Sequence, residues 1–491
     1  MRNITFATNH PLVLTGARRV GEPEPVDVLV RDGRVSAIGA SLGVDPRTER
    51  VALDGRFVVP GLWDAHTHLT QWALARRRLD VSGARSAAEA VALVARRVAA
   101  DPPPDGLPLV GAGFRDALWP DAPTAALLDE VTGDVPVVLV SGDLHCAWAS
   151  TAGLRFLGVT HPTGLLRESE WLPLQGVVDH VPDDVADELV ADALHAAAAR
   201  GVVGVVDLEI ADNLAVWRRR PTPPVRVRAG VWEDYLDRVV REDLHTGDRV
   251  ADLVEQGPFK VITDGSLNTR TAYCHDAYPG TTNHGVLSVP PERLVPLMGY
   301  ARAHGLSCAI HAIGDAANAH VLDAFAATGA TGSVEHAQLL TDADVARFAD
   351  LGVVASVQPE HAMDDRDVAD HHWAGRTGRA FAFGALHRAG VRLALGSDAP
   401  VAPLDPWAAI DAAVWRARDG RDAWHPEQRI DVLAALASSV DGRPLGLRVG
   451  DPADLAVLDA DPLVLGASVG ALRGMPVSGT LVAGRWAHRT L

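Results

Sequence analysis

Several side chains spread widely along the chain are of types that hold metal ions. In Asp64-Ala65-His66-Thr67-His68 two imidazoles stand two residues apart, a spacing that sends both to one face of a β-strand. His311, His336 and Asp398 each lie at or near the C-terminal end of a separate apolar run. Four histidines and a carboxylate make a nitrogen and oxygen donor set suited to zinc, iron, nickel or manganese. The sixth candidate is Lys260, in GPFKVITDG, the only lysine of 491 residues; the other 44 of the 45 basic residues are arginine. Burial in an apolar strand favours the neutral amine. A neutral amine can add carbon dioxide to give a carbamate, an anionic oxygen ligand able to bridge two cations. A guanidinium keeps its proton in proteins and cannot do this. The competing reading is a lysine paired with a nearby acid.

These residues need elements that bring them to one point. Eight strand candidates are legible: VVPGLWDAH (58–66), GVVGVVDLE (201–209), VRVRAGVW (225–232), FKVITDG (259–265), LSCAIHA (306–312), SVEHAQ (333–338), VVASVQP (353–359) and VRLALGSD (391–398). Most links after residue 201 are long enough to hold a helix. Near-continuous apolar strands alternating with helices specify a parallel sheet covered on both faces, and eight of them suggest a closed (β/α)8 TIM barrel. In such a barrel the C-terminal strand ends converge on one mouth, where the candidate ligands would meet.

The predicted fold class is therefore α/β, with the barrel over 61–439. The stretch between the first two strands is too long for one crossover, and it contains LPLVGAGF and VPVVLVSGD, so an α/β insertion is expected at about 75–185. The first 60 residues and the segment 440–491 are β-rich and each too short to fold alone. They are expected to form one small β-sandwich together.

Composition narrows the function classes. At 47% hydrophobic residues the chain is well cored, and its formal net charge of −18 argues against a nucleic-acid or anionic-membrane surface. The clusters Arg76-Arg77-Arg78 and Arg218-Arg219-Arg220 read as solvated helix ends. Three cysteines without a CxxC pair suggest a reducing compartment. The N-terminus lacks an apolar signal core and no apolar run reaches membrane-spanning length, so a cytoplasmic, non-membrane protein is expected.

The stretches VVPGLWDAHTHL, GDLHCAWASTAGL, FKVITDGSLNTRTA, HAIGDAAN, VEHAQLL, VASVQPEHAMDDRD, LALGSDAPVAPLDPW and LRVGDPADLAVLDADP together resemble the amidohydrolase superfamily. The likeness is to the branch containing N-substituted formamide deformylase, and it covers nearly the whole chain. It implies that His66, His68 and Asp398 hold one metal and His311 and His336 another, with a carboxylated Lys260 bridging. The implied cofactor is a divalent metal, zinc foremost, as one or two ions. Two positions depart from the branch's usual pattern: Asn268-Thr269 stand where Gly-Ser is common, and Ser150 where asparagine is usual.

The resemblance implies hydrolysis of a carbon–nitrogen bond other than a peptide bond, in a small N-acyl or N-formyl amine or a cyclic amide. The cations would supply hydroxide at neutral pH, and Asp398 would carry the proton to the leaving nitrogen as base and then acid. A single-metal deaminase, an ester or lactone hydrolase, and a catalytically silent regulatory homologue are the alternatives. The expected partner is a small molecule, and family habit allows a homodimer. His145, Arg270, Trp119 and His361 are the candidate substrate contacts. Asp264 reads as orienting a ligand or capping a turn, and Glu335, directly before His336, as pointing away from the barrel interior.

Overall fold

A computed structural model describes residues 11–104, 106–114, 116, 119–141, 146–167, 170–178 and 181–491. The chain divides into two compact units: one runs to Leu69 and resumes at Ala191, the other is Thr70–Val190.

The first unit contains eight parallel strands: β1 Leu62–Thr67, β2 Val202–Asp207, β3 Arg226–Trp232, β4 Val254–Ile262, β5 Cys308–Ala312, β6 Gly332–His336, β7 Val354–Val357 and β8 Leu393–Leu395. They pair in chain order from β1 to β8, and a parallel bridge between Thr67 and Ala399 joins the last to the first. The strands are short and apolar, with helices in the links, so both faces of the sheet are covered. Val202, Val203 and Val205 of β2 and Val354, Ala355 and Val357 of β7 are buried. Each of the eight expected runs contributes one strand.

The first run was drawn too long. Phe57–Pro60 pairs antiparallel with Leu455–Leu458 in a separate four-stranded sheet, and the barrel strand starts only at Leu62. Gly61 makes the switch. A Cβ there would stand 2.0 Å from the Val203 side chain, so only glycine lets the chain pass so close to β2.

A further four-stranded sheet is made from Leu12–Ala17, Val26–Arg31, Arg34–Gly39 and Glu49–Ala52. Leu14, Val28 and Val51 from this sheet share one buried cluster with Val58, Leu455 and Leu481 from the other. Two sheets facing across a common apolar layer are a sandwich, assembled from both ends of the chain.

The second unit carries its own five-stranded sheet, in the order Leu165–Arg167, Cys146–Ala149, Val137–Ser141, Leu109–Phe114, Leu79–Asp80. Val94 from helix Ala87–Ala100 and Leu128 from helix Ala125–Thr132 pack with Leu139 and Trp148 of that sheet.

Candidate metal centre

The ends of β1 and β8 are laced together by main-chain bonds. Asp64 Oδ1 accepts from the amides of His66 (3.1 Å) and Ser397 (2.9 Å). The Asp398 amide donates to the His66 carbonyl at 2.8 Å, and the His68 amide to the Ala399 carbonyl at 2.9 Å. Asp207, at the end of β2, accepts from the Leu69 amide and from Trp217 Nε1, which fixes the turn just after His68. Burial pushes Asp64 up to about 6, against the donors from Ser397 and His66. Asp398 itself has a φ of 57°, a left-handed conformation uncommon for a residue with a side chain.

This lacing aims three donors at one place. Asp398 Oδ1 lies 3.4 Å from His66 Nε2 and 3.2 Å from His68 Nε2, and Asp398 Oδ2 lies 3.9 Å from His361 Nε2. Ligand atoms of His66, His68 and Asp398 fall within 4.8 Å of one another, and so do those of His336, His361 and Asp398. The His311 ring meets that of His336 edge-on, at an interplanar angle of 72° with centroids 4.5 Å apart.

The far nitrogens of two rings are held by acceptors. His66 Nδ1 meets Glu335 Oε2 at 2.7 Å, and His336 Nδ1 meets Gln358 Oε1 at 2.8 Å. Gln358 Nε2 in turn donates to the Ser356 carbonyl, which sets which end of the amide faces the ring. An Nδ1–H donated to an oxygen leaves the Nε2 lone pair free and pointing inward, the arrangement found behind metal-ligating histidines. Burial lowers both rings below the ordinary histidine value, further for His336, where the His311 charge adds. Both are therefore neutral donors at pH 7.

Burial alone would raise Asp398, but the facing imidazoles of His66, His68, His336 and His361 outweigh it and hold the carboxylate well below its usual range. An anion ringed by imidazole lone pairs is a cation's coordination sphere without the cation.

Lys260 lies in the interior of β4, 2% exposed, and its Nζ has no hydrogen-bond partner among the described residues. Burial lowers its pKa, opposed by the charges of Glu335 and Asp398. His68 Nδ1, His311 Nε2 and His361 Nε2 are likewise buried without a hydrogen-bond partner. Asp264 Oδ1 is 3.3 Å from His311 Nε2, but without the alignment of a hydrogen bond. Buried polar atoms are normally satisfied. A cluster of unsatisfied nitrogens around an ionised carboxylate fits one or more divalent ions, so the residues present suit the expected cofactor.

Other expectations shift. Glu335 does not point away from the interior: it touches His66 and accepts from Ser333 Oγ. Strict alternation fails because His336 and Ala337 both have positive φ, 75° and 44°, so two consecutive side chains turn inward. His361 lies on helix Pro359–Asp364, buried, with its ring stacked on His336 at 6.1 Å. That helix is anchored by Glu360, which receives Arg418 and Arg473. Asp264 accepts from the amides of Ile313, Gly314 and Tyr273, tying the loop after β4 to the end of β5.

Arg270 is exposed on that loop with a φ of 56°, and its charge adds to burial and to His371 in lowering the His372 pKa. Asn268, one of the departures from the branch pattern, donates to Asp365 Oδ1 at 2.8 Å. Ser150, the other, caps helix Thr151–Phe156 through the Gly153 amide. Trp119 lies in the second unit, its ring 5.8 Å from Phe114 and 6.3 Å from Trp148. His145 lies outside the described residues. Two partners escaped the sequence reading: Gln358, whose only signal is its place at the end of the seventh apolar run, and Asp64, which the HxH motif overshadowed. Arg220 is no solvated helix end either; it is buried over the Trp217 ring at 4.8 Å.

Residues 49–488 match the model of the amidohydrolase family. The chain is 30% identical to Protein LONG AFTER FAR-RED 3 of Arabidopsis thaliana, over 88% of this chain and 83% of that one. It is 27% identical to N-substituted formamide deformylase of Arthrobacter pascens, over 93% and 94%. Its structure resembles that of an uncharacterized metal-dependent hydrolase from Pyrococcus horikoshii, with a TM-score of 0.75 at 26% identity, over 92% and 98% of the two chains. A match that runs from residue 49 through every strand of the barrel places this chain in the amidohydrolase family, hydrolases of carbon–nitrogen bonds, in the branch that includes N-substituted formamide deformylase.

Proposed function

We propose that this enzyme hydrolyses the carbon–nitrogen bond of a small N-acyl or N-formyl amine or a cyclic amide at a centre built on Lys260. The observation that carries the reading is the Lys260 amine, fully buried, without a hydrogen-bond partner, amid His66, His336, Glu335 and Asp398. In this reading His66, His68 and Asp398 hold one divalent ion, zinc foremost. His311 and His336 would hold a second, with carboxylated Lys260 as a further oxygen ligand. Carboxylation joins Nζ to the carbon of carbon dioxide and releases one proton, which requires the neutral amine that burial favours. A divalent ion bound there supplies Lewis acidity and hydroxide at neutral pH.

The chain's own residues do the rest. Glu335 and Gln358 keep His66 and His336 in the tautomer with Nε2 free. Asp398 has one oxygen toward His66 and His68 and leaves Oδ2 toward His361. Oδ2 is therefore the atom that takes a proton and returns it to the departing nitrogen, acting as base and then acid. His361 Nε2, unpartnered and facing that oxygen, contacts the substrate where the proton is exchanged. Arg270 remains a proposed substrate contact. The 27% identity to N-substituted formamide deformylase supports an N-formyl amine as the first substrate to test.

The test is metal analysis of the purified chain beside turnover of N-formyl amines, N-acyl amines, cyclic amides, a lactone and an aminopurine. Cleavage of an amide with metal bound is the expected result. One ion per chain, an unmodified Lys260 and release of ammonia from the aminopurine alone would sink it.

A further inference from the structure

The second unit has a pocket of its own, beside the exposed end of helix Leu69–Ala75 that Arg76-Arg77-Arg78 follow. Arg77 and Arg78 line this pocket with Arg97, against an apolar wall that includes Leu74, Leu109, Val178 and Leu189. It is a shallow groove, with about 490 Å3 of space counting the open mouth. Arg76 takes no part; it lies over the Trp72 ring instead.

Arg77 and Arg97 share one acid among the described residues. Asp101, which caps helix Ala87–Ala100, receives Arg77 Nη1 and Arg97 Nη2, each at 3.0 Å on Oδ2, with Arg77 Nη2 at 3.3 Å on Oδ1. One carboxylate thus serves two guanidiniums, in a chain that elsewhere carries an acidic excess. Arg97 Nη1 is buried and has no hydrogen-bond partner among the described residues. Burial depresses the Arg97 pKa and the Arg77 charge adds to that, with Asp101 opposing. A second anion beside Asp101 would satisfy Nη1 and relieve the repulsion between the two arginines.

Two features define that anion. A guanidinium offers a planar fork of N–H donors, which matches a carboxylate. The leucine and valine wall would bury an aliphatic chain attached to it. We infer that this pocket binds a carboxylate with a short aliphatic tail, headgroup on Arg97 and Arg77, tail along Leu109, Val178 and Leu189. The inference is independent of the metal centre and of the reaction proposed there.

Isothermal titration of the full chain with hexanoate tests it, with 1-hexanol and inorganic phosphate as the tail-only and anion-only probes. Hexanoate is expected to bind the wild type and Lys260→Ala alike, which separates this pocket from capture at the metal centre. Arg97→Gln should weaken binding at least tenfold while leaving melting temperature and amide turnover unchanged. Arg77→Gln provides the same readout should Arg97→Gln fail to fold. Hexanol and phosphate should each bind at least tenfold more weakly than hexanoate. Equal binding of either probe, loss of hexanoate binding in Lys260→Ala, or full affinity in the folded arginine variant would overturn the inference.

Discussion

Two of the regions that bury polar groups without partners among the described residues do so with opposite chemistry. At the barrel's strand ends the unsatisfied atoms are ring nitrogens and one amine, gathered about an ionised carboxylate. In the second unit, among the described residues, the unsatisfied atom is a guanidinium N–H beside Asp101, which two arginines share. Lone pairs call for a cation; N–H donors call for an anion. An unpaired buried polar group costs roughly 1–3 kcal/mol, so both regions give up stability in return for a ready site. The sign of the missing partner can be read from which kind of atom is left over.

The comparison breaks most visibly at the barrel. His66→Ala removes a donor that faces Asp398 and frees Glu335, and should lower the rate by roughly 10³-fold or more, since a bound metal supplies several kcal/mol of transition-state stabilisation. Metal content measured with kcat/KM checks this; retained metal and rate would mean that His66 is only a core residue. His361→Ala should lower kcat by about 10²-fold, the lower end for lost proton-transfer assistance, with metal content kept. Loss of metal instead would move His361 from the substrate to the ligand set. Glu335→Gln keeps an oxygen near His66 Nδ1 but loses its charge, and should weaken metal affinity about 10–100-fold, as competition with a chelator would measure.

The pH response sharpens the same contrast. His66 and His336 have folded pKa values below 6.5, so they stay unprotonated where an ordinary histidine would charge. Metal should be retained as pH falls through 6.5 and be released only in the range below. In the metal-free chain the unfolded state takes up these protons first, so stability should fall as pH drops below 6.5 and recover above it. Melting temperatures from pH 5 to 8 measure that slope; a flat profile would contradict the assigned protonation states. The smallest effect is expected where burial leaves nothing to satisfy. Burial pushes the Cys274 thiol up to about 11 and the Cys308 thiol to about 12, so neither should react with an aromatic disulfide reagent at pH 8 until the chain is unfolded.

Much of this was legible because barrel strands are read by their apolar runs, and the ligands sit where those runs end. What escaped has local causes. Glu335 was assigned outward by strict alternation, and alternation fails where His336 and Ala337 take positive φ. The first strand was overdrawn because Phe57–Pro60 is as apolar as β1, and only the clash that a side chain at position 61 would make with Val203 separates them. The helix that carries His361 has no long periodic run to announce it: it spans only Pro359–Asp364 and begins on a proline, a position proline tolerates well. The arginine pocket was invisible because Arg77 and Arg97 are twenty residues apart, and neither a period nor a motif joins them.

One diffraction experiment reaches the centre of the account: crystals of the wild-type chain with metal supplied, recorded with anomalous scattering. The expected map has a cation peak between His66, His68 and Asp398, a second near His336, and continuous density beyond Lys260 Nζ for a carboxylate. A bare amine with no ion within coordinating distance, in crystals of protein that still turns over an amide, would contradict it.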